Sequence, residues 1–548
     1  MKKRLANTRT RSETGFDYVA GSVNIITPFG RKLLKEKPPF FPGEEEQLKR
    51  EFEKLGCILQ FIRGNQTDCD ELLRIFMETK DVTFTITRSG KDALSVVELF
   101  EIKSLLLKMD RILKITMNPK AGIPADYIMC DMTGLIALLD PRNDRMDTFY
   151  LYDEFSEELG SARKRKREIE GQIRRGQKKQ SEELKNKYGV ELTPKFDCMV
   201  SKTNVEQLKK MRENPDLVQS DEDYVSVTFT LKNSEETDKL LRETYGLIQI
   251  IEQEELAVRE KLSQKISLRE KELLENCAKI GELDFAVAKA LYAVDHNCVI
   301  PEIVDIHAIE INDGRHIQVE DILAAKNKPY CPVSISLSDG VTCITGANMG
   351  GKTVSLKLAG LVALLTQNAF FVPCGKAVIG LSNFIQILIG DNQSIDRGLS
   401  GFGSEMESLK EMLDNGKDRS LILVDEIASG TNPAEGFALT QGLIEHLKDK
   451  PYVSLFTTHF DVGAAKGEVT NLQVVGLANA DFDKLDKEIR YADRRERINV
   501  IAKYMDYRLY KAAKDKEVPR DALKIARMLG IDQEIIDNAK KYLGGGNG

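Results

Sequence analysis

Over the first 150 residues apolar positions recur every three or four. Phe52, Leu55, Leu59 and Ile62 stand among charges between Gly43 and Arg63, and the same spacing returns from Ala93 to Ile115. That is the repeat of amphipathic helices, so residues 1–150 are expected to form an α-helical core, with Phe40 and Phe41, bracketed by Pro38, Pro39 and Pro42, in a turn. From Tyr152 to about Lys187 the chain is charged all round, the pattern of a helix that bridges rather than fills a core. Between 190 and 233 the period falls to two: Phe196, Cys198 and Val200 alternate with other residues, as do Val225, Val227 and Phe229, which predicts a small β insertion. No proline interrupts Ser234 to Val294, where Leu262, Ile266, Leu273, Cys277 and Ile280 trace an apolar stripe. Residues 151–300 therefore read as helical lever arms that leave and return around a β tip.

Beyond Asn297–Pro301 the pattern changes again. Val341–Thr345, Leu421–Val424 and Val453–Thr458 are short apolar runs of the kind that form buried parallel strands, and Val354–Leu365 is an Ala/Leu/Val-rich helix. Residues 301–490 are expected to be an α/β domain. Residues 491–548 should be helical, with a pair between Ala522 and Tyr542 separated by Gly530.

Candidate chemistry sits at the ends of those apolar runs. The first opens into Gly346-Ala347-Asn348-Met349-Gly350-Gly351-Lys352-Thr353, which fits the phosphate-binding loop G-x-x-x-x-G-K-[ST] at every fixed position. A strand, a glycine turn whose N–H groups can face phosphates, and a helix starting with its positive dipole end are what a nucleotide site requires. Lys352 would reach the β- and γ-phosphates of ATP, and Thr353 would offer its hydroxyl to Mg²⁺. The second run ends in Asp425-Glu426: Asp425 suits the metal, and Glu426 suits deprotonation of an attacking water. The third ends in His459, for which the context favours a γ-phosphate sensor or water-polariser over a structural strand-end histidine.

With 42% hydrophobic residues in 548, the chain can build several cores. Nine scattered cysteines with no C-x-x-C pair suggest reduced core thiols rather than disulfides or zinc, and the basic start lacks the apolar segment of a signal peptide, so a cytoplasmic location is expected. A net charge of −7 gives no global nucleic-acid footprint. Any such contact must be local. Between Arg163 and Lys179 nine basic residues face two acids, and two readings stay open: a solvated lever, or a surface that tracks a phosphate backbone.

These residues together resemble the MutS family of ATPases. The Asn348-Met349-Gly350-Gly351 core of the phosphate loop is that family's version. Gly398-Leu399-Ser400-Gly401-Phe402-Gly403-Ser404-Glu405-Met406 is similar to its signature segment, and Asp391-Asn392-Gln393-Ser394 to the branch without mismatch-recognition modules. Gly314-Arg315-His316 and Tyr330 match the lead-in, and Thr230-Leu231-Lys232-Asn233 the end of the clamp. The resemblance implies an α/β P-loop NTPase preceded by a helical core and lever region with a clamp-like β insertion. It implies ATP and Mg²⁺, Tyr330 stacking on adenine, Ser400 acting on the nucleotide of a neighbouring subunit, and dimerisation through the final helices.

A homodimer, or a pair with a MutS-like partner, would close a clamp on DNA. The chain begins directly in the helical core, and Phe155-Ser156-Glu157 has the letters of a mismatch wedge only by coincidence, so mismatch sensing is not expected. A second client is a cobalamin-dependent aminomutase, since Gly15-Phe16-Asp17-Tyr18 and Phe149-Tyr150-Leu151-Tyr152 resemble the MutS-like reactivase subunit. Leu399-Ser400-Gly401 also begins like an ABC or SMC signature, but Asn348-Met349 and Glu405-Met406 argue against that class.

Overall fold

A computed structural model of the protein describes residues 4–346, 351–390, 401–428, 431–459, 469–491, 493, 496–512 and 522–543. The chain separates into two compact units. The smaller comprises Thr79–Lys114 and Met129–Cys277, the larger Met1–Glu78, Ile115–Ile128 and Ala278–Gly548.

The smaller unit is built on two long helices, Glu157–Tyr188 and Glu235–Ser267. Each begins at a serine whose hydroxyl accepts an N–H of the first turn, Ser156 from Leu159 and Ser234 from Thr237, and Gly189 ends the first helix in the left-handed conformation at φ 68°. They run antiparallel and are joined by charge, Arg163 to Glu255 at 2.6 Å and Arg165 to Glu243 at 2.8 Å. Between them the chain forms β1 (Asp197–Ser201), β2 (Leu217–Glu222) and β3 (Ser226–Leu231), an antiparallel sheet in the order β1-β3-β2. Its register sets Cys198 against Phe229 and Val200 against Val227, so one face is apolar and closes on Leu184, Val190 and Met211. Phe196 lies outside β1 at φ 61°, so the alternation begins one residue later than its side chains suggest.

The apolar stripe after Ser234 is buried at all five expected positions, but the helix is not continuous. It stops at Ser267 and restarts at Glu270, where the N–H of Arg269 turns to the Ile266 carbonyl. A tightened turn of that kind needs neither glycine nor proline, so hydropathy cannot announce it.

The larger unit holds helices Thr8–Glu13, Phe16–Ser22, Pro28–Glu36, Glu45–Gly64 and Gln66–Glu78, and two sheets. Helix Pro28–Glu36 meets helix Glu270–Asp295 at a glycine pair. A Cβ on Gly281 would stand 2.8 Å from Phe29, and one on Gly30 would stand 2.6 Å from Asp284. Asp284 accepts from the N–H and hydroxyl of Thr27, both at 2.7 Å, and so fixes the start of the shorter helix.

The first sheet contains β4 (Glu302–Val304), β5 (Ala308–Gly314), β6 (Val333–Ser338) and β8 (Lys376–Gly380), in the order β4-β8-β5-β6. The second contains β7 (Gly340–Thr345), β9 (Phe384–Ile389), β10 (Ser420–Asp425), β11 (Tyr452–Thr457), β12 (Thr470–Gly476) and β13 (Asp506–Lys511), in the order β13-β12-β7-β11-β10-β9. All but β13 run parallel. Near-unbroken burial of β7, β10 and β11 is what a parallel sheet covered on both faces demands.

Helix Lys352–Gln367 lies against this sheet with Gly360 so close to Thr14 and Leu423 that a Cβ would come within 2.6 Å and 2.8 Å of them. The outer edge of β9 is covered by the start of the chain. The N–H of Ile385 donates to the Leu5 carbonyl at 2.8 Å, that of Ile387 to the Thr10 hydroxyl, and Arg9 donates to the Ile389 carbonyl at 3.2 Å. The opposite edge strand, β13, lies in a stretch expected to be helical and carries Asp506, Arg508 and Lys511, charges that discourage further pairing.

All nine cysteines are free, as expected, but Cys130 and Cys331 are exposed rather than core thiols. No helix among the described residues is long and apolar enough to cross a membrane.

Candidate phosphate site at the strand ends

In parallel sheets the carboxyl ends of the strands form one rim, and ligands bind along it. Here the register makes β7, β10 and β11 end level. Asp425 pairs with Thr457, and Thr457 with Ile344, so the residues that follow all emerge at the same edge. Gly346 and Glu426 follow directly, His459 comes two residues after Thr457, and helix Lys352–Gln367 starts beside them with Gly351 as its cap at φ 75°. A positive φ there is the turn that only glycine makes without strain, and no side chain among the described residues caps the first N–H groups of the helix.

The Lys352 side chain is buried and held by three groups. Its Nζ donates to the Gly346 carbonyl at 3.0 Å and to His459 Nδ1 at 3.1 Å, and lies 3.4 Å from Glu426 Oε1. His459 Nε2 is 2.6 Å from the same carboxylate oxygen. With Lys352 donating to Nδ1, the ring proton belongs on Nε2, where it is donated to Glu426. Burial pushes the Lys352 amine below its ordinary range against the pull of Glu426. The hydrogen bond from His459 pulls the Glu426 carboxyl down, and burial only partly opposes it. Glu426 itself sits at φ 48°, a costly conformation for a glutamate, fixed by its N–H donating to the Thr457 carbonyl at 3.1 Å.

Asp425 is a buried carboxylate of a different kind. It has no ion-pair partner among the described residues; Thr353 donates to Oδ2 at 2.9 Å and Thr457 donates to Oδ1. Burial pushes its pKa up, and the two hydroxyls moderate the shift. Two hard oxygen donors side by side, one on a carboxylate that lacks a cation, fit Mg²⁺, which takes only one or two protein ligands and fills its shell with water and phosphate oxygens. Among the described residues no larger cluster of metal-binding side chains occurs.

Five expected site residues, Lys352, Thr353, Asp425, Glu426 and His459, are therefore brought together, with Gly346 and Gly351 framing the loop. Tyr330 is half-buried and anchored at its hydroxyl. Its hydroxyl accepts from the backbone N–H of His316 at 3.0 Å, and burial pushes the phenol up to about 12. Ala347, Asn348, Met349, Gly350 and Ser400 lie outside the described residues.

Three contributors were not assigned from the sequence. Thr457 is a strand-end hydroxyl two residues before His459, but a threonine in a strand is ordinary. Tyr507 of β13 lies so close to Gly351 that a Cβ there would meet its ring at 3.1 Å, a contact no local pattern discloses. Glu405, in helix Gly401–Asn415, accepts the Ala428 N–H at 3.0 Å and so holds the segment after Glu426, where Ala428 has φ 59°. Its signal was the Glu405-Met406 pair of the signature segment.

MutS domain V matches residues 342–544, the stretch that contains every one of these strand ends. Similar proteins include Endonuclease MutS2 of Clostridium botulinum (strain ATCC 19397 / Type A), 32% identical over 289 residues, or 52% of this chain and 33% of that protein. Endonuclease MutS2 of Acetivibrio thermocellus is 32% identical over 274 residues, covering 50% and 31%, and that of Ruminiclostridium cellulolyticum 33% identical over 286, covering 52% and 33%. The matched part thus spans about a third of the length of each relative. Residues 342–544 are thus similar to MutS domain V, and about half of the chain is similar to the Endonuclease MutS2 proteins, in line with the phosphate-loop residues found at the strand ends.

Proposed function

We propose that the protein is a Mg²⁺-dependent ATPase that works as a dimer with shared sites and couples ATP turnover to closing a clamp on DNA. The observation that carries the ATPase reading is the meeting of Lys352, Thr353, Asp425, Glu426 and His459 at three level strand ends. Lys352 and the first N–H groups of its helix would bind the phosphates. Thr353 and Asp425 would hold Mg²⁺, which supplies charge neutralisation. An incoming phosphate competes with Glu426 for Lys352; once Lys352 turns to it, Glu426 keeps His459 as its one close donor among the described residues and is free to accept a proton from water. The test is Lys352→Ala in a nucleotide titration. Loss of tight ATP binding in a folded variant is expected, and unchanged affinity would remove this loop from the site.

DNA as the client is supported by the charge distribution on helix Glu157–Tyr188. Arg163, Arg165, Arg167 and Lys166 are engaged by acids, whereas Lys164, Arg174, Arg175 and Lys178 are exposed and have no partner among the described residues. Free cations on one helix suit a phosphate backbone, read without base contacts. Replacing Arg174, Arg175 and Lys178 by glutamine should lower the slope of log affinity against log salt by about 0.9 for every phosphate no longer neutralised. An unchanged slope would favour a protein client, for which the aminomutase is the alternative.

For the shared site, Lys352→Ala subunits should regain turnover when paired with Ser400→Ala subunits, because such a heterodimer retains one intact site. No recovery in verified heterodimers would mean that each subunit works alone.

A further inference from the structure

Far from the phosphate loop, the larger unit contains a cavity of about 490 Å³ between helices Pro28–Glu36, Glu45–Gly64 and Glu270–Asp295. Its size is that of a small-ligand pocket. Phe285, Ala286, Tyr127 and Leu33 give it an apolar wall, and Lys289 lies at its floor.

The charges around it are paired unevenly. Lys37 is bound to Glu51, and Lys54 to Asp126 at 2.6 Å. Two groups are left over on one helix. Lys289 is 2% exposed, donates to the Ala369 carbonyl at 2.8 Å, lies over the rings of Phe285 and Phe370, and has no carboxylate within ion-pair distance among the described residues. Glu282, at the mouth, has no cation partner among them either, and burial raises its pKa. An ammonium group has three donors, and one is used among the described residues. Burial drives the Lys289 amine down to about 7, with Lys37 adding to the shift and Glu51 opposing it. The other charged or titratable groups facing the cavity are Glu36, Lys54, Asp126 and Tyr127.

Glu282 and Lys289 are seven residues apart, two helical turns, so they share a face about 10 Å apart along the axis. We propose that this cavity is a binding site for a small extended zwitterion, whose carboxylate pairs with Lys289 at the floor, whose methylene chain lies against Phe285 and Ala286, and whose ammonium meets Glu282 at the mouth. The site is separate from the nucleotide rim, yet Lys289 holds the carbonyl of Ala369, two residues beyond the end of helix Lys352–Gln367.

The experiment is calorimetry on the full chain with 6-aminohexanoate, hexanoate and hexylamine, at pH 6 and pH 8, in buffers of low and high ionisation enthalpy. A carboxylate beside Lys289 favours the charged amine. Binding of 6-aminohexanoate should therefore take up close to one proton at pH 8, where the free amine dominates, and almost none at pH 6. Glu282→Gln should weaken 6-aminohexanoate about tenfold, the loss of one good charge pair, and leave hexanoate unchanged. Lys289→Met should abolish binding of both; should that variant fail to fold, the proton uptake and the Glu282→Gln result still decide. No binding of 6-aminohexanoate at millimolar concentration, equal binding of hexylamine, absence of proton uptake at pH 8, or indifference to Glu282→Gln would each overturn the proposal.

Discussion

Glu426 is bound on one oxygen by two donors, and its proposed role as base predicts two separable phenotypes. Glu426→Gln keeps the size and most of the hydrogen bonding but cannot take a proton, so ATP should bind and persist; turnover at the normal rate would remove Glu426 from that role. His459→Ala acts on the same carboxylate from outside. The histidine is the largest cause holding the Glu426 pKa below its ordinary value. The stability this group contributes is present above its unfolded pKa and is lost as pH falls through the lower folded value. Without His459 the folded value rises, so both that loss and the acid limb of the turnover profile should move toward neutral pH. A pH profile that keeps its acid limb while falling in height would show that His459 does not govern Glu426. These residues were legible in the sequence because phosphate chemistry restricts which side chains can stand at a strand end. Thr457 and Tyr507 were not, since a hydroxyl or a ring becomes informative only when its neighbour in space is known.

Helices and strands followed the hydropathy pattern where burial dictated it and departed where backbone geometry did. The period of the apolar residues located helix Glu45–Gly64 to within two residues, and the level strand ends followed from three apolar runs. The interruption after Ser267 and the strand at Asp506–Lys511 were hidden for opposite reasons. The first breaks a helix without changing its apolar stripe. The second is a short edge strand whose Tyr507 and Leu509 alternate with charges too briefly to compete with the helical residues on either side. Packing between elements leaves its own trace in glycine. Gly281 stands where helix Glu270–Asp295 crosses Pro28–Glu36, and a methyl group there would press on Phe29 at 2.8 Å. Gly281→Ala should therefore destabilise the fold by about 1–3 kcal/mol, the usual cost of overpacking, although alanine favours a helix. Denaturant unfolding measures it, and a gain in stability would mean that the two helices can part without loss.

Across the whole molecule the six-stranded sheet is completed by a segment that contributes no strand. β9 reads Phe-Ile-Gln-Ile-Leu-Ile, six residues without charge, proline or glycine, the composition most prone to pair with copies of itself. Leu5, Arg9 and Thr10 occupy the hydrogen-bonding groups of its open side. Deletion of residues 1–11 should leave the nucleotide rim assembled yet make the protein self-associate as its concentration rises, which light scattering would detect; a monodisperse truncated protein would show that the edge is protected by other means. The order of synthesis gives this arrangement a further meaning. The covering segment leaves the ribosome more than three hundred residues before the strand it covers, so the aggregation-prone edge meets a waiting guard as soon as it is made. A circularly permuted chain that places residues 1–11 last would reverse that order, and should lose yield during expression while keeping the stability of whatever fraction folds.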